Sequence, residues 1–131
     1  MSILSSIDDY IIHLIVKTLQ EVKSECIKVI DVREQTVLFS YMIIATGVSS
    51  RQIRAMGQRV MQTLKENHYD NLGVEGLENG EWVLVDAGNV VLHAMLPDIR
   101  QFYDLEELWE EKYDNNLSLI HISEPTRQEA I

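Results

Sequence analysis

The segment most like a catalytic loop is ATGVSSRQ, residues 45–52, where an apolar run passes through a glycine to two serines and Arg51. A helix N-terminus after such a turn can bind phosphate, because its free N–H groups and the helix dipole both favour an anion. A P-loop needs GxxxxGK[ST] and a dinucleotide-binding turn needs GxGxxG, and neither pattern is present. The simpler interpretation is that Ser49 or Ser50 caps the helix.

Other catalytic arrangements have weaker support in the sequence. Nucleotidyl transfer needs paired carboxylates to hold magnesium, and the predicted strands offer Asp31 and Asp86 only singly. The four histidines have neither metal-ligand spacing nor a partner motif for nucleophilic catalysis. The pattern therefore predicts no catalytic group, no cofactor and no metal. A nucleotide-dependent transferase that uses residues 46–51 for phosphate is the alternative.

Charge and cysteine content narrow the class of protein. The chain of 131 residues has a formal net charge of −10, which favours a basic protein partner and disfavours sequence-specific nucleic acid binding. Cys26 is the single cysteine, so no disulfide framework exists, and we expect its thiol to be a small buried hydrophobe. No apolar run approaches 18 residues and the N-terminus is acidic, so we expect a cytoplasmic protein without a membrane segment.

The elements that position these residues follow from hydrophobic periodicity. Apolar residues at spacings of three and four predict a first helix from Ser6. The segment 26–32 alternates as a strand does, and YMIIAT (41–46) is a continuous apolar run typical of a central strand. The helix after the two serines should pack an apolar stripe and expose a basic ridge. The stripe is Ile53, Met56, Gly57, Val60 and Leu64, and the ridge is Arg51, Arg54, Gln58, Gln62 and Lys65.

Two apolar stretches on either side of Ala87 and Gly88 predict a β-hairpin. Its mixed face could be a partner-binding surface or could lie under a helix, with His93 as a satisfied core residue. Pro97 then predicts a short helix that returns Tyr103 beside this face. Strand alternation places on the face Trp82, Leu84, Val91, His93 and Met95, with Asp86 at the edge.

The last stretch, DNNLSLIHISEPTRQEAI (114–131), has no sustained periodicity and contains a proline. We expect it to be a disordered or non-native tail. Residues 1–113 are then expected to form the single domain.

Three ordered stretches resemble the ribosomal silencing factor family, also called Iojap-like or RsfS proteins. They are ATGVSSRQIRAMGQRV, LGVEGLENGEWVLVDAGNVVLHAM and IRQFYDLEELW, within residues 5–110. The resemblance implies one compact α/β domain, with a mixed β-sheet and flanking helices, similar to the nucleotidyltransferase fold without its catalytic acids. Family members bind the large ribosomal subunit through its fourteenth protein and block joining of the small subunit, which represses translation under nutrient limitation.

The resemblance, taken together with expected exposure and side-chain chemistry, predicts a set of partner-binding residues on the hairpin face and in the segment that follows it. The same patch could form a homodimer that the ribosome competes with. Gly57, in the middle of a predicted helix, departs from the family pattern and is expected to cost up to about 1 kcal/mol of helix stability relative to alanine. The predicted partner-binding residues are Trp82, Asp86, His93, Met95, Arg100, Tyr103, Leu105 and Trp109.

Overall fold

The computed structural model describes residues 3–111, with the side chains of residues 7–109. The expected tail, residues 114–131, lies outside the described residues. No helix within the described part is long and apolar enough to cross a membrane. The helices are α1 (Ile3–Glu21), α2 (Ser50–Glu66) and α3 (Pro97–Tyr103), followed by a π-helical turn at Glu107–Glu111; the strands are β1 (Glu25–Asp31), β2 (Tyr41–Thr46), β3 (Gly73–Glu75), β4 (Trp82–Asp86) and β5 (Val90–Met95).

The five strands form one mixed sheet in the order β1-β2-β5-β4-β3. β2 and β5 are parallel, and the other neighbouring pairs are antiparallel, which confirms the predicted mixed α/β architecture. β2 is an interior strand, as its apolar run predicts, but β5 is the middle strand and every one of its residues is buried. The three-residue strand β3 is not apparent in the sequence, because its glycine-rich segment is too short to show a periodicity.

Helices α1 and α2 cover one face of the sheet. α1 begins at Ile3, so the predicted helix start at Ser6 is wrong by one turn. The hydroxyl of Thr18 on α1 contacts the hydroxyl of Thr63 on α2 at 3.1 Å, which joins the two helices. The apolar stripe predicted for α2 is confirmed, since its members are the buried residues of that helix: Ile53, Met56, Gly57, Val60 and Leu64.

Gly57 allows α2 to pack closely on β4. A Cβ atom on Gly57 would lie 2.6 Å from Cγ1 of Val83, well inside van der Waals contact. The glycine that lowers helix propensity is therefore required by the packing of the helix on the sheet.

The opposite face of the sheet lies under α3, the π-helical turn and the loop between β1 and β2. The carbonyl oxygen of Trp109 accepts a hydrogen bond of 2.6 Å from the side chain of Gln35, and its ring lies 5.7 Å from that of Phe39. We call this hydrophobic cluster the α3-side cluster. It contains buried Ile30, Val32, Met42, Ile44 and Met95, with partly buried Phe39, Trp82, Ile99, Leu105 and Trp109.

Cys26 corrects one expectation. Its side chain is exposed, not buried. The pairing of β1 with β2 shifts register between Glu25 and Lys28, and Cys26 has a φ of 50° at this irregularity. Such a bulge redirects the side chains of an edge strand, which an alternating sequence pattern does not reveal.

Candidate partner-binding surface

Four ring side chains lie in a row on the sheet face that α3 covers. We call Phe102, Tyr103, Trp82 and His93 the aromatic row. Consecutive ring centroids are 4.9, 4.9 and 5.8 Å apart. The β4–β5 register pairs Trp82 with Met95, which confirms that the hairpin places these residues on one face. The predicted return of Tyr103 beside this face is also confirmed, since its ring lies against Trp82.

Exposure increases along the aromatic row from the sheet to the solvent. His93 is 7% exposed, whereas Tyr103 is 50% and Phe102 is 79% exposed. Trp82 lies between these limits and also packs against the α3-side cluster. The sheet therefore fixes one end of the row, and the other end offers apolar aromatic area to a partner.

His93 and Trp82 form the inner end of the row through a hydrogen bond. Nε1–H of Trp82 donates to Nδ1 of His93 at 2.9 Å, so Nδ1 is the unprotonated nitrogen. Burial lowers the pKa of His93 to about 4, because the charged imidazolium would lose its hydration. His93 is therefore a neutral, satisfied core residue at pH 7, as one of the two sequence interpretations predicts.

Arg100 attaches α3 to the sheet. Its guanidinium donates two hydrogen bonds, of 3.0 and 2.8 Å, to the carboxylate of Glu106, and this charge-assisted pair lowers the pKa of Glu106. The remaining contacts of 2.7 Å each reach the carbonyl oxygen of Cys26 and the hydroxyl of Thr46. Arg100 thus holds the element that carries Tyr103 to the ends of β1 and β2.

Asp104 ends α3 and reverses the direction of the chain. It has a φ of 47°, and its N–H donates to the carbonyl oxygen of Arg100 at 2.8 Å. This left-handed cap leads the following residues back over the α3-side cluster. Exposed acidic residues lie in or next to the elements that carry the aromatic row: Glu81 precedes β4, Asp98 is in α3, and Asp104 follows α3. The row is therefore set in acidic surroundings, which suit a basic partner.

The other predicted partner-binding residues lie in different environments. Met95 is 0% exposed, and Leu105 and Trp109 are partly buried in the α3-side cluster. Asp86 is exposed at the far end of β4, where its carboxylate accepts the N–H of Gly88 at 2.8 Å. Phe102 was not among the predicted residues. It lies next to Tyr103 in a short helix that contacts the sheet on one side only, and this position could have indicated an exposed aromatic side chain.

The loop at residues 46–51 is occupied by internal hydrogen bonds. The hydroxyl of Ser49 accepts the N–H of Gln52 at 3.1 Å, so Ser49 is the helix cap and the structural interpretation of the loop is confirmed. The side-chain oxygen of Gln52 accepts the N–H of Val48 at 2.8 Å. Within the part of the chain that the structure describes, no three His, Cys, Asp or Glu side chains are arranged to hold a metal ion.

The predicted basic ridge of α2 is only partly solvated. Arg54 is half-buried and donates hydrogen bonds of 2.8 and 3.0 Å to the carbonyl oxygens of Leu77 and Glu78. It therefore holds the loop between β3 and β4. Arg51, Gln58, Gln62 and Lys65 are exposed, as predicted.

Known proteins resemble the chain along most of its length. A family model described as "Ribosomal silencing factor during starvation" matches residues 5–130. A Chromobacterium violaceum protein named ribosomal silencing factor RsfS is 49% identical over 96 residues, which are 73% of this chain and 79% of that protein. A mouse protein named mitochondrial assembly of ribosomal large subunit protein 1 is 32% identical, and the alignment covers 83% of this chain and 50% of the mouse protein.

A solved structure has the same fold. The crystal structure of a Chromobacterium violaceum protein superposes with a TM-score of 0.75 at 48% sequence identity. The superposition covers 77% of this chain and 84% of that one.

Proposed function

The chain belongs to the ribosomal silencing factor family, and on that premise we propose that it represses translation by binding the large ribosomal subunit and preventing the small subunit from joining it. The contact on the large subunit is its fourteenth protein, and the block is steric. The protein represses translation when nutrients are limited. The name of the mouse relative, which refers to assembly of the ribosomal large subunit, supports the choice of subunit.

The observation that carries the proposed contact is the exposed end of the aromatic row. Tyr103 and Phe102 offer apolar area beside the exposed carboxylates of Asp98 and Asp104. Aromatic anchors at the centre of an interface supply much of its binding energy, whereas acidic surroundings speed the encounter with a basic protein. The ring of Trp82 packs against Tyr103, and Arg100 binds α3 to the sheet through the carbonyl oxygen of Cys26, so both hold these anchors in place.

This mechanism uses no chemical step, so we propose that the chain is not an enzyme. The alternative, a nucleotide-dependent transferase, would need the loop at residues 46–51 to bind phosphate. The N–H of Val48 in that loop already donates to the side-chain oxygen of Gln52, and the N–H of Gln52 donates to the hydroxyl of Ser49. A phosphate bound through these two N–H groups would have to displace both hydrogen bonds, which disfavours that mode of binding. Binding of labelled ATP or CTP with magnesium at ordinary concentrations would support it.

The test of the proposed contact is Tyr103→Ala, because half of this side chain is exposed and its removal should leave the core intact. We expect large-subunit binding to weaken by about thirtyfold, which corresponds to an anchor of about 2 kcal/mol. Tyr10→Ala is the matched control, since Tyr10 is 47% exposed on α1, on the other face of the sheet. Co-sedimentation with purified large subunits measures the affinity, and a joining assay with small subunits measures the block.

Equal affinities of Tyr103→Ala and Tyr10→Ala would show that the contact lies elsewhere on the molecule. Binding of the parent without any inhibition of subunit joining would contradict the steric mechanism. A homodimer through the aromatic row is compatible with the proposal, because the ribosome would then compete for the same surface. In that case Phe102→Ala should weaken self-association, measured by analytical ultracentrifugation, together with subunit binding.

A further inference from the structure

The outer surface of α2 is positively charged in an otherwise acidic molecule. The helix contains four basic residues and one carboxylate, Glu66, whereas the whole chain has a net charge of −10. Four polar residues of α2 follow one another at spacings of seven, four and three, which places them along one side of the helix. We call this line the α2 stripe, and its members are Arg51, Gln58, Gln62 and Lys65.

The side chains of the α2 stripe are exposed, and its two cations are available to a ligand. Among the residues that the structure describes, no hydrogen bond or ion pair engages the side chain of Arg51 or Lys65. Arg59 lies next to the stripe, and its ion pair with Glu21 is long, at 3.7 Å between two half-exposed groups, so water screens it strongly. Three cations on one helix surface can therefore reach an external anion.

We propose that the α2 stripe contacts the phosphate backbone of RNA in the large subunit, an inference that rests on the proposed ribosome binding. Arg51 and Lys65 are 14 residues apart and hence span about 21 Å along the helix. The amide of Gln62 donates to the carboxylate of Glu66 at 3.2 Å, so the two cations and the amide of Gln58 are the groups on this line that fit a chain of repeating phosphates. The stripe has no aromatic side chain on which a base could stack, so the contact is independent of RNA sequence.

The position of α2 in the fold allows this contact together with the proposed protein contact. α2 packs on the sheet face formed by residues such as Val83 and Val85, whereas the aromatic row lies on the face that α3 covers. The two surfaces are therefore on opposite sides of the sheet. One molecule can engage a basic protein on one side and RNA on the other.

An acidic protein segment is the competing occupant of the α2 stripe. Gln58, Gln62 and Lys65 line a groove together with Met61, Val74 and Leu77, so a protein segment would find apolar contacts beside this part of the stripe. Arg51 lies outside this groove, and a chain of repeating phosphates can reach both Arg51 and Lys65 along the helix, which favours RNA.

The salt dependence of large-subunit binding tests the inference. A protein contact with phosphate releases counterions, so log K falls as log salt rises. Each lost contact makes this negative slope shallower by about 0.7 to 0.9. We expect the double variant Arg51→Gln/Lys65→Gln to reduce the slope by about 1.4 to 1.8 between about 50 and 200 mM KCl. Lys17→Gln/Arg33→Gln is the control, because it removes the same charge from exposed positions on α1 and in the turn after β1 and should keep the parental slope.

A second ligand, protein-free large-subunit RNA, separates the two occupants. We expect the parent to bind this RNA at about 50 mM KCl and the α2 variant to bind it more weakly, with the control variant unchanged. If the parent binds subunits and the α2 variant keeps the parental slope, the RNA contact is contradicted and the proposed function stands. A reduced slope on subunits with no binding of the parent to protein-free RNA would assign the stripe to an acidic protein and overturn the inference. A parent that binds no subunits would overturn the proposed function itself.

Discussion

A single buried residue, His93, makes the stability of this domain depend on pH. The unfolded chain has an ordinary histidine pKa near 6.5, whereas burial lowers the folded value to about 4. Between these values the unfolded state binds more protons, so stability falls as the pH drops below 6.5 and levels off below 4. Above pH 7 both states are neutral and the effect vanishes.

The variant His93→Asn isolates this contribution, because asparagine keeps an acceptor for Nε1–H of Trp82 and does not titrate. From pH 7.5 to pH 5.5 we expect the parent to lose about 1.4 kcal/mol more of its unfolding free energy than the variant loses. Urea unfolding at the two pH values measures each loss. The acid-sensitive pair of Arg100 and Glu106 is present in both proteins and cancels in the comparison. Equal losses in the two proteins would show that the pKa of His93 is the same in the folded and the unfolded state, as for an imidazole accessible to water.

The absence of a side chain at Gly57 is a second single-residue feature on which stability depends. Alanine is the better helix former by about 1 kcal/mol, but its methyl group would overlap Cγ1 of Val83. Overpacking of this kind usually costs about 1 to 3 kcal/mol, so we expect Gly57→Ala to destabilise the protein. The exposed neighbour Gln58 supplies the control, since Gln58→Ala should change the denaturation midpoint little. A Gly57→Ala protein more stable than the parent would mean that α2 can move away from β4 at low cost.

At the scale of elements, the N-terminus of α2 depends on one of two adjacent serines. Ser49 has extended backbone and accepts the N–H of Gln52, whereas Ser50 is already the first helical residue. Ser49→Ala should therefore cost about 0.5 to 2 kcal/mol of stability, and Ser50→Ala much less. Chemical denaturation of the two single variants makes the comparison, with large-subunit binding per folded molecule unchanged in both. A larger loss of stability for Ser50→Ala than for Ser49→Ala would show that Ser50, and not Ser49, caps α2.

The second face of the sheet is covered by short elements that depend on one another. α3 has only seven residues and none is buried, so its own packing holds it weakly. Arg100 fixes it to Cys26 and Thr46, and the turn that carries Trp109 packs beside it on the α3-side cluster. The exposed aromatic side chains thus stand on an element that is held by polar contacts more than by burial.

For the molecule as a whole, we expect the C-terminal boundary of the domain at Tyr113. We expect truncation after Tyr113 to leave both the denaturation midpoint and large-subunit binding unchanged. Truncation after Asp104 is the informative contrast, because it also removes Leu105 and Trp109 from the α3-side cluster and should destabilise the protein. A lower midpoint or weaker binding after the shorter deletion would make residues 114–131 part of the working domain.

Elements with a local sequence pattern could be predicted without the fold. The periodicity of α2 identified its buried stripe, the turn at Ala87 and Gly88 identified the hairpin, and strand alternation placed Trp82 and Met95 on one face. Each of these signals depends on residues a few positions apart, so the chain reveals it without the fold. The resemblance to a known family added what no local pattern contains, the connection to the ribosome.

Whether a given side chain is buried or exposed depends on the folded chain and could not be predicted from local patterns. Alternation cannot tell whether the hairpin face binds a partner or lies under α3, because both arrangements require the same apolar residues. The fold buries His93 and Met95, exposes Tyr103, and turns Cys26 outward at a bulge. The need for Gly57 likewise arises from Val83, 26 positions away in the chain. Burial and close packing depend on residues that are distant in sequence, and only the folded chain brings those residues together.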